Sequence, residues 1–70
     1  MRYELCPEAE ATHVRVTENI HEMDLTVGEV YEIHRNEEPG FEGEEMIRDN
    51  NGVYNCSFSL VVEVDWLKKI

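Results

Sequence analysis

Basic residues are scarce in this 70-residue chain, with six Lys and Arg against sixteen Asp and Glu, a formal charge of −10. That deficit argues against direct nucleic-acid binding, which needs clustered Lys and Arg to replace phosphate counterions. It also disfavours adsorption to an anionic membrane surface. Apolar runs are short: no 18-residue stretch could span a bilayer, and residues 1–20 lack a basic region followed by an apolar run, so no signal peptide is expected. Cysteine is limited to Cys6 and Cys56, without zinc or redox spacing and too few for a secreted disulfide scaffold. Two thiols in a reducing cytoplasm are the expectation, with a single Cys6–Cys56 disulfide as the alternative.

Catalytic and metal-binding groupings are also missing. His13, His21 and His34 are spaced by eight and thirteen residues, which fits no ligand motif. The "DNNG" stretch stops short of a calcium loop. Carboxylates abound, yet no pair stands out for acid–base work and no nucleophile lies near a base. The expectation is a protein that is not an enzyme and takes no metal or cofactor.

What is present is one small domain's worth of β-forming sequence. Hydrophobic residues make up 41% of the chain, enough for one core. A chain of this length buries only about 60% of its unfolded surface, so stability is modest without help from oligomerisation. "HVRVTE" alternates, placing Val14 and Val16 on one face and His13, Arg15 and Thr17 on the other. "NIHEMDLTVGE" reads as an irregular loop pinned by Ile20, Met23, Leu25 and Val27, with Gly28 at positive φ where the chain turns into the next strand. In "EVYEIHR" the apolar positions Val30, Tyr31 and Ile33 do not alternate strictly, which predicts a bulge or bend. "DNNGVY" predicts a type I′ hairpin at Asn51-Gly52. "VYNCSF" is the expected return strand, with Tyr54, Cys56 and Phe58 on one face. A turn at Ser59-Leu60 and a last strand through Val62 and Val64 or Val61 follow. At the N-terminus, Pro7 before "EAEA" seeds one helical turn or stands in an irregular arm. Five short strands at this spacing predict a small all-β barrel or sandwich.

"LTVGEVYEI", then "EMIRDNNGVYNCSF", then "LVVEV" resembles the small SH3-like β-barrels, and most closely the short SH3-like proteins encoded by tailed bacteriophages and some bacteria. The resemblance covers residues 13–64 and implies a five-stranded barrel, with residues 1–12 as an N-terminal arm and 65–70 as a C-terminal tail. It likens Leu25 and Gly28 to the diverging-turn positions, and "SFSL" to the one-turn 3₁₀ segment before the last strand. The paired tyrosines of the "ALYDY" strand, which line the proline-rich-peptide groove of peptide-binding SH3 domains, are replaced by "HVRVTE", and the only tryptophan, Trp66, lies near the end of the chain. Fold can be inherited without activity.

The acidic stretch "EEPGFEGEE" is the sharpest functional feature. Glu37, Glu38, Glu42, Glu44 and Glu45 gather around Pro39-Gly40 and Phe41, with Asp49 further along. The simpler reading is a solvated loop that keeps the protein soluble. The sharper one makes this loop the surface that engages a basic host protein, with carboxylates standing in for phosphates and Phe41 as the dry anchor. On that reading the protein is a cytoplasmic, DNA-mimic-like inhibitor. An oligomeric protein that sequesters a small molecule, or a structural adaptor of the same fold, is the alternative. Trp66 and Leu67 either cover the open end of the barrel or meet a second subunit in a homodimer.

Overall fold

The computed structural model describes residues 2–36 and 44–70. Six antiparallel strands form one sheet in the order β1-β6-β2-β3-β4-β5. They are β1 (Tyr3–Leu5), β2 (His13–Glu18), β3 (Val30–Asn36), β4 (Glu44–Arg48), β5 (Tyr54–Asn55) and β6 (Glu63–Lys69). A 3₁₀ turn at Glu8–Glu10 follows β1, and one helical turn, α1 (Phe58–Val61), precedes β6.

The all-β class stands, with a count and closure that differ from expectation. Six strands replace five because the N-terminal arm supplies β1, and the expected C-terminal tail continues β6 to Lys69. Leu5 pairs with Leu67, Glu4 with Lys68 and Tyr3 with Lys69. The sheet is open, not a closed barrel: β1 and β5 are its two edges among the described residues. β5 is only two residues long, because the chain leaves Asn55 for α1 before it can reach a further partner. Pro7 does start a turn, with the Glu10 and Ala11 amides donating to the Pro7 and Glu8 carbonyls at 3.0 and 3.1 Å.

Core formation follows the alternation of β2. Val14 and Val16 are fully buried and pack with Ala11, Leu25, Ile33, Ile47, Phe58 and Val62. Trp66 packs against this cluster from β6, its ring 5.9 Å from that of Phe58. Each fully buried aliphatic side chain contributes about 1.5–3 kcal/mol, an upper figure since the unfolded chain hides some of that surface too. The expected irregularity in β3 takes another form. Val30, Tyr31 and Glu32 pair with β2, whereas Ile33 to Asn36 pair with β4, so the strand changes neighbour halfway. The register shift lies instead in β2, between Val16 and Glu18 against β6.

The Asp49–Val53 hairpin also departs from the type I′ expectation. Gly52 is at φ 80, but Asn51 is not at positive φ. The Gly52 amide donates to the Asp49 carbonyl at 3.0 Å, and the Asp49 amide to the Val53 carbonyl at 2.9 Å. The Asp49 carboxylate selects this turn by accepting the Asn51 and Val53 amides, each at 2.9 Å. Beyond it the return strand is shorter than expected: Cys56 is exposed, and Phe58 enters the core from α1, not from a strand face.

Candidate interaction surface

The 19–29 loop is held by one asparagine. Asn19 Nδ2 donates to the carbonyls of Met23 and Leu25 at 2.8 and 2.7 Å, and its Oδ1 accepts the Met23 amide at 2.9 Å. Gly28, at φ 90, donates to the Val16 carbonyl at 2.7 Å, the tight return that the sequence predicts there. Leu25 is buried, while Ile20 is 72% exposed, so the loop is pinned by Leu25 and Met23 and not by all four of its apolar residues.

The same loop is tied to the β4–β5 hairpin. The Thr26 amide donates to the Tyr31 hydroxyl at 2.7 Å, the hydroxyl donates to Asn50 Oδ1 at 2.9 Å, and Asn50 Nδ2 returns to Thr26 Oγ1 at 3.0 Å. Asn51 Nδ2 reaches Asp24 Oδ2 at 2.7 Å, and the Asn50 amide the Asp24 carbonyl at 2.8 Å. This polar ring was not legible as a unit in the sequence. Its only local signal is the concentration of Asx residues at both turns.

Between loop and helical turn lies an apolar pocket of about 120 Å³ lined by Met23, Leu25, Asn55, Ser57, Phe58 and Val61. Leu60 stands beside it on α1, 82% exposed. No sequence motif marks this pocket, because its walls come from two segments far apart in the chain, around Met23–Leu25 and Asn55–Val61.

Of the residues expected to form the interface, Glu37, Glu38, Phe41 and Glu42 lie outside the described residues. Glu44 opens β4 opposite Asn36. Glu45 is half-buried and paired with Arg35, Nη2 to Oε2 at 2.8 Å. Arg35 also donates to the carbonyls of Ala11 at 2.9 Å and Glu8 at 3.2 Å, so this ion pair anchors the N-terminal turn to the sheet. Burial, then a hydrogen bond and repulsion from Glu8, raise the Glu45 carboxyl above its ordinary value, with Arg35 opposing them. Asp49 is engaged in the hairpin. The backbone amides of Val53 and Asn51 and the side chain of Asn55 hold its pKa below the ordinary value against a smaller effect of burial.

The remaining charges are unevenly placed. Arg15 faces Asp65 at 3.9 Å, His34 faces Glu32 at 3.4 Å, and Arg48 lies over the Tyr54 ring at 5.4 Å. Arg2, Lys68 and Lys69 sit together where β1 meets the end of β6. At the other end of β6, Glu63 stands opposite Glu18 on β2. A hydrogen bond shared with Glu63, and repulsion from it, raise the Glu18 carboxyl.

Cys6 and Cys56 are not joined in a disulfide. Among the described residues no three His, Cys, Asp or Glu side chains gather as metal ligands, and no helix is long and apolar enough to cross a membrane. No protein-family model, no curated protein and no solved structure matches the chain.

Proposed function

We propose that this chain is an interaction module, not an enzyme, of SH3-like type, which binds a basic protein surface that otherwise holds nucleic acid. The observation that carries the reading is the uncompensated charge of −10 on so small a sheet. Self-repulsion of this size works against a marginal core, and a cationic partner removes it. The arrangement of the cations supports it: Arg15, Arg35 and Arg48 are engaged within the molecule, and Arg2, Lys68 and Lys69 are confined to one corner. The order β6-β2-β3-β4-β5, with a long loop between β2 and β3 and a helical turn before β6, supports an SH3-like module to which β1 has been added. The segment Glu37–Glu45, with Phe41 at its centre, remains the first candidate contact. A phage-encoded inhibitor that mimics DNA is the biological form this reading takes.

The test is capture from a nuclease-treated bacterial lysate on the tagged chain, followed by salt elution and by displacement with duplex DNA. A basic, nucleic-acid-handling protein retained at low salt and released by either treatment supports the proposal. A retained partner indifferent to both salt and DNA defeats it. Charge-neutral replacement of Glu42, Glu44 and Glu45 by Gln decides whether the loop is the contact. The apolar pocket and the two open sheet edges favour a second reading, an oligomeric adaptor or small-molecule-sequestering protein. Light scattering and a ligand-induced thermal shift test it.

A further inference from the structure

The apolar pocket between the 19–29 loop and α1 is lined from residues 23–25 and 55–61, and the stretches that hold them, 16–34 and 49–67, contain no Lys or Arg. Acids flank its lining residues along the chain. Asp24 lies between the lining residues Met23 and Leu25, Glu22 precedes Met23, and Glu63 follows Val61 by two residues. Glu18 directly precedes Asn19, whose amide holds the Met23 and Leu25 carbonyls. Glu18 and Glu63 are cross-strand partners, a like-charge pairing that destabilises a sheet unless a cation is brought to it. The cation nearest in register, Arg15, is directed at Asp65. The floor is apolar: Phe58 is buried there, and Leu60, in the same helical turn, is exposed. In size the pocket approaches the roughly 150 Å³ that accepts benzene in an engineered cavity, enough for one aliphatic side chain.

From this combination we infer that the pocket is the docking point for a basic segment of the partner, with one leucine-like side chain seated on Phe58 and an adjacent Lys or Arg placed between Glu18 and Glu63. The assignment rests on the proposed function and moves its anchor from the acidic loop to the pocket. Apolar burial supplies the hold, and the carboxylates select a cationic occupant over an acidic or neutral one.

The experiment is an NMR titration of the isotope-labelled full chain with the peptide acetyl-Gly-Lys-Lys-Leu-Lys-Lys-Gly-amide. Parallel titrations use one peptide with alanine in place of leucine and one with glutamate in place of each lysine. Shifts centred on Met23, Leu25, Phe58 and Val61 are expected, with about tenfold weaker binding of the alanine peptide. Glu18→Gln together with Glu63→Gln is expected to weaken the leucine peptide several-fold without moving the shifts elsewhere. Equal binding of the leucine and alanine peptides, with shifts confined to residues 37–45, overturns the pocket assignment and leaves the proposed function standing. Undiminished binding of the glutamate peptide overturns the charge selection. If no lysine peptide binds at all, both the assignment and the function beneath it fall. The peptide controls need no change in the protein, so the answer does not depend on any variant folding.

Discussion

Two ends of this sheet treat their carboxylates in opposite ways. At the β4–β5 hairpin, Asp49 accepts two backbone amides and the Asn55 side chain, and Asp24 accepts Asn51. At the start of β6, Glu18 and Glu63 meet each other. The first arrangement favours the charged form and lowers a pKa, while the second disfavours it and raises one. A carboxylate whose lone pairs are filled by the fold is part of the fold. One that faces another acid is left to share a proton with it. An acidic composition therefore does not say which acids the fold satisfies, and the hydrogen bonds do.

The largest expected perturbation removes the floor on which the pocket end rests. Phe58→Ala deletes a fully enclosed ring in contact with Trp66 and should cost about 3–5 kcal/mol, read by urea denaturation with Trp66 fluorescence as the signal. For a domain of this size that is a large share of the total. An effect no bigger than that of a surface substitution would show that Phe58 is not the keystone of this end.

Asp49→Ala comes next, because it strips the acceptor from the Asn51 and Val53 amides at once. The thermal midpoint should fall clearly, with the loss of hydrogen-exchange protection centred on the hairpin. The pH dependence follows from the lowered pKa. The contribution of Asp49 is present above the ordinary aspartate value of 3.8 and is lost as pH falls through its lower folded value. The alanine variant should therefore lose less stability than the parent on acidification.

Glu18→Gln is expected to act with the opposite sign and to a smaller extent. A raised glutamate pKa means that the folded chain holds its proton more tightly than the unfolded one. The associated stability is fully present below the ordinary 4.5 and is lost as pH rises through the folded value. At neutral pH the glutamine variant should therefore be more stable than the parent, with that part of the pH dependence removed. If Glu18→Gln and Asp49→Ala move the thermal midpoint in the same direction at pH 7, the contrast between the two ends is broken.

The smallest effect concerns the loop between them. Glu22 is the one non-glycine residue at positive φ among those described, at 52°. Glycine there relieves about 1–2 kcal/mol of left-handed strain while adding about 0.5–1 kcal/mol of unfolded-chain entropy. Glu22→Gly should thus stabilise by roughly 0.5 kcal/mol, measurable as a small rise in the urea midpoint. A loss of stability would show that the Glu22 side chain supports the loop in a way its backbone angle does not reveal.

How much of this was legible beforehand varies with the range of the interaction. The alternation in "HVRVTE" correctly placed Val14 and Val16 in the core, since pleat period is a local property. Gly28 at positive φ was likewise read from a single residue, whereas Pro7 left a helical turn and an irregular arm open until the structure showed the turn. The Asn51-Gly52 pair pointed to the wrong turn because the Asp49 side chain competed for the backbone amides. Tyr54, Cys56 and Phe58 alternate as a strand would, yet α1 delivers Phe58 to the core. The acidic cluster 37–45 was visible as composition. That Glu45 is paired with Arg35 depended on β3 and β4 lying side by side.

By itself, then, the sequence determined the all-β class, the positive φ demanded of Gly28, and a net charge of −10. Only the tertiary structure decided that the arm and the tail would pair as β1 and β6, that the sheet would stay open, and that a pocket would form between loop and helical turn. It also decided which carboxylates are filled and which face one another. The reason lies in sequence separation. Pleat period and backbone angle are encoded within a few neighbouring residues, whereas the Lys69 amide meets the Thr12 hydroxyl across 57 residues and only after the rest of the sheet has brought them together.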